Sequence, residues 1–313
     1  MQKGGEKKPV RPPQSQARPG LEKKMIPVPV SKVANEKSSG KLEGKTTFIT
    51  GGDSGIGKAT AILFAKEGAD VAIMYLNEHE DAEDTRREIE ETYGRKCLLI
   101  AEDISKEKNC INAVGKVIKT FGKIDVLVNN AALHYESKSL SDIITEQLVQ
   151  TFATNIFSMF WITKAALPSM KKGSSIINTT SVTAYRGSST LIDYASTKGA
   201  IVSFTRSLSS NLVEKGIRVN AVAPGPIWTP LIAASFEKKK VAQHGSDVPM
   251  KRAAGIPGSL GRDQRIVFQV GNRETLAYAF PDIGVFHRQD LQRRLDRLGR
   301  LIGLGALLGS DCG

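Results

Sequence analysis

The sequence predicts an α/β protein with one folded domain, a doubly wound parallel sheet covered by helices on both faces. Short apolar runs alternate with helix-length segments between residue 45 and about residue 250. A glycine-rich turn joins the first of these runs to the first helix. The chain is 40% hydrophobic and 24% charged, which is ordinary for a soluble globular domain. Strand–helix alternation of this kind is typical of a parallel sheet built from βαβ units.

The individual elements follow from apolar periodicity. Right-handed crossovers between consecutive parallel strands place the helices on both faces of the sheet. The first helix is predicted over residues 58–69, with an inward face made of Ala61, Leu63, Phe64 and Ala65. The strands are predicted at residues 46–50, 70–75, 96–101, 124–130, 174–180 and 217–223.

Composition divides the 313 residues into three stretches. Residues 1–44 are rich in Lys, Pro, Gln and Gly and contain too few apolar residues to pack alone. We therefore expect a flexible arm, disordered or extended. Residues 45–252 are long enough to bury a substantial core and form the predicted domain. Residues 253–313 are an atypical tail.

The net charge of +12 belongs mainly to the flanks. Residues 1–45 contain 11 Lys and Arg against 4 Asp and Glu, whereas residues 46–250 contain 23 against 22. No aromatic residues interleave with the basic ones, so specific nucleic-acid binding is not expected. No run of 18 apolar residues is present, so we predict no membrane span. The histidines are scattered, which predicts no metal site.

The N-terminus lacks the apolar stretch of a secretory signal, and the three cysteines show no metal or redox spacing. Both features predict a protein that stays in a reducing, cytoplasmic compartment.

The turn TTFITGGDSGIGKAT, residues 46–60, leads from the first strand into the first helix through Gly51, Gly55 and Gly57. Glycine permits backbone angles and close approaches that a Cβ would block. The helix that follows offers free N–H groups to a pyrophosphate. A glycine-rich turn without chemical meaning is the alternative, but its place between a strand and a helix favours a dinucleotide site.

The stretch LIDYASTKGA, residues 191–200, places Tyr194 and Lys198 one helical turn apart on the same face. Taken alone, such a pair is more often a solvated surface contact. A tyrosine has an ordinary pKa near 10 and is a poor base at neutral pH. A neighbouring ammonium would lower that pKa towards the working range, which makes the pair a candidate catalytic couple.

Together these motifs resemble the short-chain dehydrogenase/reductase family over about residues 45–252. The glycine turn has the spacing T-G-x-x-x-G-x-G. The stretches GGDSGIGKA, NTTSVTAYRG and AVAPGPIWTPL are similar to the branch that contains bacterial general-stress oxidoreductases and plant glucose/ribitol dehydrogenase homologues. The remaining landmarks, in family order, are Asp103-Ile104, Asn129-Asn130-Ala131-Ala132, Asn155, Ser181, Tyr194-x-x-x-Lys198 and Pro224-Gly225-Pro226.

The resemblance implies a Rossmann-type fold and an NAD(P)-dependent oxidoreductase that interconverts a secondary alcohol, sugar- or polyol-like, and its carbonyl. Tyr194 would give or take the hydroxyl proton, while Lys198 would lower its pKa and hold the nicotinamide ribose. Ser181 would hydrogen-bond the reacting oxygen, and Asn155 would keep a water and proton path to Lys198 in place. A nucleotide-binding regulator without turnover, or an inactive product with an incomplete fold, is the alternative.

For the cofactor, the resemblance favours NAD, with NADP possible. The family's usual acid for NAD at the end of the second strand is replaced by Tyr75, and the usual base for NADP is absent at Leu76 and Ser54. Asp53 would repel a 2′-phosphate. The implied cofactor contacts are Gly51, Asp53, Ser54, Gly55, Ile56, Gly57, Tyr75, Leu76, Asn77, Asp103, Ile104, Asn130, Ala131, Ala132, Tyr194, Lys198, Pro224, Gly225, Ile227 and Thr229.

The implied partner is a small-molecule alcohol or carbonyl that contacts Ser181 and Tyr194. Residues 227–250, called the lid segment below, would cover it. The remaining lining is expected from His134, Tyr185, Arg186 and Trp228.

The family commonly forms tetramers through the helix that carries the tyrosine and lysine. We expect a homo-oligomer, a homotetramer if the C-terminus is complete. Phe204, Leu208 and Leu212 follow one another at i+4 spacing and would form its outward apolar stripe. The alternative is that this stripe packs inside its own subunit.

The tail departs from the family pattern after VPMKR, residues 248–252. A Pro-led helix, an apolar helix run and a last strand are expected there, but the chain is instead rich in Arg, Leu and Gly. We interpret this as a frame change near residues 253–256, in the gene or in its reading. The alternative is a divergent tail whose basic amphipathic helix carries Leu291, Leu295, Leu298 and Ile302.

Overall fold

The computed structural model describes residues 7–31, 38–248 and 251–255. Within these ranges, six strands form a single sheet. Their bounds are β1 Thr46–Thr50, β2 Asp70–Tyr75, β3 Cys97–Ala101, β4 Val126–Asn129, β5 Ser175–Thr179 and β6 Arg218–Val222. Every strand pair is parallel, and the order is β3-β2-β1-β4-β5-β6. The doubly wound parallel sheet is confirmed, and its order reverses between β1 and β4, where such sheets bind ligands.

Helices cover both faces of this sheet. A π-helical turn at Ala153–Phe157 joins α4 to α5, and another, Glu88–Thr92, extends α2. The α-helices are α1 Gly55–Lys66, α2 His79–Arg87, α3 Glu107–Phe121, α4 Thr145–Phe152, α5 Ser158–Ala166, α6 Thr183–Arg186, α7 Ile192–Leu212, α8 Pro230–Ser235 and α9 Lys238–Ala242. None of these helices is long and apolar enough to cross a bilayer.

The core has two layers, because neighbouring strand residues point to opposite faces of the sheet. Phe48 packs on the side of α3 and α5, whereas Ile49 packs on the side of α1 and α2. Both residues are fully buried. Strands that are covered on both faces read as continuous apolar runs, which explains why their positions were predictable to within one or two residues.

The first helix differs from its prediction at both ends. It begins at Gly55, three residues early, because the glycine turn leads directly into it. It ends at Lys66 because Gly68 has a φ of +99°, a left-handed conformation that stops a helix. On the predicted inward face, Ala61 and Ala65 are buried, while Leu63 and Phe64 are half-buried.

The N-terminal arm lies against the domain over residues 7–31, mostly without regular secondary structure apart from a short 3-10 turn at Glu22–Lys24. The backbone N–H of Val10 donates to the carbonyl of Ala242 (2.8 Å), and that of Gln16 to the carbonyl of Ala233 (2.9 Å). Met25 is 1% exposed and packs in a small cluster with Trp228. The lid segment therefore provides the apolar packing contacts that the polar composition of the arm cannot supply by itself. The domain boundaries stay predictions.

Glu22 anchors the arm to the first helix. Its carboxylate accepts the backbone N–H of Gly55 at 2.7 Å and lies 3.0 Å from Nζ of Lys58. Its own backbone N–H donates to the carboxylate of Asp81 at 2.6 Å. A carboxylate at a helix N-terminus is favoured by the free N–H groups and the helix dipole.

The predicted outward stripe on α7 is wrong at Leu212. That side chain is fully buried in the main core, and Phe204 and Leu208 are half-buried. Exposed apolar residues lie instead on α4 and the segment after it, and the rings of Phe160 and Phe204 are 4.3 Å apart. This α4–α5 face contains Leu148, Val149, Phe157 and Phe160.

Candidate active site

A cavity of about 440 Å³ lies at the carboxyl ends of the strands, at the switch point between β1 and β4. Its size suits a small-molecule ligand or cofactor. Most of the predicted site residues line it: Gly51, Asp53, Ser54, Gly55, Ile56, Tyr75, Leu76, Asp103, Ile104, Asn130, Ala131, Ala132, Ser181, Tyr194, Lys198, Pro224, Gly225, Ile227 and Thr229.

Three of the predicted catalytic and cofactor-binding residues do not line this cavity. Asn77 is exposed just after β2, and Asn155 is fully buried behind the wall. Gly57 faces the turn itself, since a Cβ there would come within 1.8 Å of the carbonyl oxygen of Gly51. Gly57 thus allows α1 to start directly against the turn.

The glycine turn is fixed from both sides. Gly51 has a φ of +63°, which requires glycine. The side-chain amide of Asn130 donates to the carbonyl oxygens of Thr50 and Gly51, at 3.1 and 3.2 Å. Thr50 Oγ1 in return accepts the backbone N–H groups of Asn130 and Ala131. The narrow turn and the start of α1 allow the close approach to backbone N–H groups that a pyrophosphate needs, although the N–H of Gly55 itself is taken by the carboxylate of Glu22.

Acidic residues line the cavity where β2 and β3 end. Asp53 is 5% exposed; burial, reinforced by the nearby charge of Glu78, raises the pKa of its carboxyl to about 7. Glu78 also lines the cavity and is 9% exposed. Sequence reasoning missed Glu78, although it stands three residues after the second strand, next to the positions where an acid was sought.

Tyr194 and Lys198 meet at the other end of the cavity. Lys198 is 1% exposed, its Nζ donates to the carbonyl of Thr179 at 2.8 Å, and this Nζ lies 5.4 Å from the centroid of the Tyr194 ring. Ser181 lines the same end and hydrogen-bonds the side chain of Tyr194. The structure therefore brings three of the four predicted catalytic side chains together, and Asn155 lies behind them.

The expected lowering of the Tyr194 pKa is not observed. Burial raises this pKa to about 12, against the opposing hydrogen bond from Ser181. Burial also lowers the pKa of Lys198 to about 7. The physical reason is desolvation, which disfavours the charged form of both groups. At neutral pH the lysine is therefore only partly charged.

Asn155 sits in the π-helical turn that joins α4 to α5. Its side-chain oxygen accepts the N–H of Leu133 at 2.8 Å, and its amide donates to the carbonyl of Leu133 at 2.9 Å. The amide also donates to Thr197 Oγ1 at 3.1 Å. π-helical turns are frequent at functional sites. Here the turn fixes the wall loop after β4 to the helix that carries Tyr194.

His134 forms the wall next to the tyrosine. Its ring lies 5.1 Å from the Tyr194 ring, and burial, with a smaller effect from Arg18, lowers its pKa to about 3. The other expected lining residues, Tyr185, Arg186 and Trp228, lie outside the cavity wall. Trp228 is covered by the arm, since its Nε1 donates to the carbonyl of Pro27 at 2.8 Å. Sequence reasoning missed Arg18, an arm residue at the cavity mouth.

Within the described ranges, no group of three or more His, Cys, Asp or Glu side chains could hold a metal ion. A doubly wound sheet with Ser, Tyr and Lys at its switch-point cavity defines a class of oxidoreductases. Residues 45–240 match the family model described as short chain dehydrogenase, and the chain belongs to that family. The resemblance drawn from the motifs is confirmed.

Close relatives support the same branch. The chain is 61% identical to the uncharacterized oxidoreductase YhdF and 54% identical to general stress protein 39, both from Bacillus subtilis. These matches cover 77% of the chain and 83% and 84% of the relatives. It is 48% identical to glucose and ribitol dehydrogenase of Daucus carota, over 77% of the chain and 85% of the relative.

A solved short-chain dehydrogenase from Burkholderia cenocepacia, in complex with NADP, has a similar fold. Its TM-score is 0.65 at 30% identity, over 71% of this chain and 93% of that one.

Proposed function

We propose that this protein is an NAD(P)-dependent oxidoreductase that interconverts a secondary alcohol, sugar- or polyol-like, and its carbonyl by hydride transfer. The observation that carries this proposal is the single cavity that joins the glycine turn of β1 and α1 to Ser181, Tyr194 and Lys198. Gly51, Ser54, Gly55 and Ile56 at the turn would hold a dinucleotide, and the same cavity reaches Tyr194. When bound, the nicotinamide cofactor supplies or accepts the hydride.

The chain's own groups then handle the proton and the reacting oxygen. Tyr194 donates its phenolic proton to a carbonyl oxygen in reduction and takes it back in alcohol oxidation. Ser181 donates a hydrogen bond to the same oxygen and stabilises its developing charge. Lys198, whose pKa is about 7, exchanges a proton readily near neutral pH and binds the ribose. Asn155 acts as a positioning residue for Leu133 and Thr197.

The decisive experiment is a substrate panel. Aldoses, polyols and simple ketones are offered with both cofactors, and the absorbance of the reduced nicotinamide is followed. We expect turnover of polyhydroxylated substrates, which the printed name of the carrot relative supports. Cofactor binding without turnover across the whole panel would contradict the proposal and favour a nucleotide-binding regulator.

For the cofactor we propose a preference for NAD over NADP. Asp53 and Glu78 are buried carboxyl groups close to one another at the end of the cavity where the adenosine ribose is expected. A 2′-phosphate there would face the carboxylate of Glu78, and the ionised fraction of Asp53, in a poorly solvated setting. The family member solved with NADP keeps the alternative open, so the preference needs a direct test.

Glu78→Arg tests this preference, with Glu80→Arg as a matched control because Glu80 is exposed and does not line the cavity. We expect the Glu78 change to raise kcat/KM for NADP and lower it for NAD, each by about tenfold or more, which is ~1.4 kcal/mol. The control should leave the ratio unchanged. A parent enzyme that already prefers NADP would overturn the proposal.

We further propose that the protein acts in the cytoplasm as a homo-oligomer. The exposed α4–α5 face supports assembly, because contiguous apolar patches on a protein surface commonly mark interfaces.

A further inference from the structure

We infer that Arg18 of the N-terminal arm binds an anionic group, a carboxylate or a phosphate, on the substrate. This inference rests on the proposed oxidoreductase function and adds a substrate class to it. It concerns a residue outside the family's fold, since the match to the family begins at residue 45.

Arg18 stands at the tyrosine end of the cavity. Its Nη2 donates to the carbonyl of His134 at 3.1 Å, and its Cζ lies 4.2 Å from the centroid of the Tyr135 ring. The His134 ring contacts the Tyr194 ring. Arg18 is exposed as a whole residue and lines the cavity. These contacts orient its planar fork while leaving further N–H groups available for a ligand.

Charge is distributed unevenly along the cavity wall. Of the acidic residues that line it, Asp53 lies in the turn after β1 and near Glu78, while Glu78, Glu102 and Asp103 follow the ends of β2 and β3. At the tyrosine end, the charged lining residues are Arg18 and Lys198. Glu136, which is close by, is paired with Lys240. A substrate with a carboxylate or phosphate therefore meets a cation at this end, without an unpaired carboxylate to repel it.

The arm is held firmly next to Arg18. Gly20 packs so closely on α8 that a Cβ there would lie 2.7 Å from the carbonyl of Pro230. Gln16 is hydrogen-bonded through its backbone on the other side. A guanidinium on a fixed backbone loses little freedom on binding. Its bidentate geometry matches carboxylates and phosphates better than neutral hydroxyl groups.

The test compares matched ketones with and without the anionic group. The phosphate pair is dihydroxyacetone phosphate and dihydroxyacetone, and the carboxylate pair is 4-oxopentanoate and 2-pentanone. Each is reduced by the full-length parent, by Arg18→Gln, by Arg18→Lys and by Lys23→Gln. Lys23 is a suitable control because it is an exposed arm cation, paired with Glu80, that does not line the cavity.

We expect the parent to favour at least one anionic ketone over its neutral partner by about tenfold or more. Arg18→Gln should lower kcat/KM for that ketone by about 10-fold to 100-fold and leave the neutral one within about twofold. Arg18→Lys should keep part of the preference, and Lys23→Gln all of it. The ketone pair that shows this preference identifies the anionic group as a phosphate or a carboxylate.

Equal losses on neutral and anionic ketones in Arg18→Gln would overturn the inference, because they indicate a purely structural role. So would a parent enzyme that reduces the neutral ketones without preferring an anionic one. Calorimetric binding of glycerol 3-phosphate and glycerol to the cofactor-loaded proteins provides a readout without turnover. If no ketone is reduced, the proposed function fails, and equal binding of glycerol 3-phosphate by parent and Arg18→Gln then overturns the inference separately.

Discussion

Lys198 shows how one buried residue can serve turnover at the expense of stability. It is enclosed between β5 and α7, and the carbonyl of Thr179 is the hydrogen-bond acceptor of its ammonium. Burial lowers its pKa to about 7, which means that the folded state disfavours the charged form. A group poised near neutrality can pass protons in both directions, whereas an exposed lysine cannot.

Lys198→Met should therefore abolish turnover and weaken cofactor binding while raising the free energy of unfolding at neutral pH. In the parent, the unfolded chain keeps the lysine proton between pH 7 and the ordinary pKa of 10.5, whereas the folded chain has lost it. Parent stability thus rises with pH in this window, by about 1.4 kcal/mol per unit. The advantage of the variant should be largest at pH 7 and below and shrink towards pH 10.

Urea unfolding of both proteins at several pH values between 6.5 and 9.5 measures this difference. A difference that does not change with pH would contradict the burial of a titrating lysine.

Tyr194→Phe tests the proton path. The ring keeps its contact with His134, so cofactor affinity should stay within about threefold, while kcat should fall by about 10²–10⁴-fold. Stopped-flow kinetics and fluorescence titration measure the two quantities. Tyr93→Phe is the matched control, because Tyr93 packs against the core on the α1–α2 side, away from the cavity. Turnover within a few-fold of the parent would refute the role of Tyr194.

At this scale, the sequence predicts which residues meet but not how they titrate. Helical spacing predicts that Tyr194 and Lys198 lie side by side, and the family motif predicts that Ser181 lies with them. Their pKa values depend on burial among segments distant in sequence, such as β5 and the loop at His134. Spacing along the sequence carries no information about desolvation, so the predicted direction of the pKa shift of Tyr194 was wrong.

At the scale of elements, the arm is the part that composition describes least well. The arm packs and hydrogen-bonds against the lid segment, which contains α8 and α9 and lies more than 200 residues away along the chain. Local apolar periodicity predicts helices and strands, whereas the course of an arm depends on the distant segments that it contacts. Glu22 illustrates the point, because a lone glutamate in a Lys-rich stretch reads as solvated, yet it is 3% exposed.

Glu22→Ala should destabilise the protein by about 1–3 kcal/mol, because it leaves Lys58 and the N–H of Gly55 without their buried acceptor. The midpoint of urea unfolding measures the loss. Glu80→Ala removes an exposed arm contact, to Lys23, and should change stability by less than about 0.5 kcal/mol. Equal effects of the two substitutions would show that Glu22 is not an anchor.

At the scale of the whole molecule, the described residues leave one apolar face and two sheet edges open. The apolar face is the α4–α5 face, with its exposed phenylalanines. The sheet edges are β3, which pairs with β2 alone, and β6, which pairs with β5 alone. The family places a further strand beside β6, but residues 256–313, where it is expected, do not match its pattern and lie outside the described residues. The predicted frame change near residues 253–256 lies at the boundary, since the described residues end at residue 255. Assembly is therefore best tested at the face that the structure describes.

Phe160→Glu should break assembly, because it places a charge in the middle of the α4–α5 face, beside Phe204. We expect the parent to be an oligomer by light scattering at micromolar concentration and the variant to be smaller. Ile111→Glu is the control, since Ile111 is also an exposed apolar residue but belongs to α3. A monomeric parent, or identical masses for parent and Phe160→Glu, would contradict the proposed interface.

Because main-chain hydrogen bonds hold part of the arm in place, the sequence variation of the arm and its local opening report different properties. Val10 and Gln16 are held through main-chain atoms, which every residue except proline supplies. The exposed side chain of Val10 is consequently free to change among descendants while its backbone contact persists, whereas the side chain of Gln16 also hydrogen-bonds the backbone of Leu21. A residue-by-residue tolerance screen would score Val10 as unimportant. Amide hydrogen exchange would detect the contact, since slow exchange at Val10 and Gln16 reports the docked arm directly.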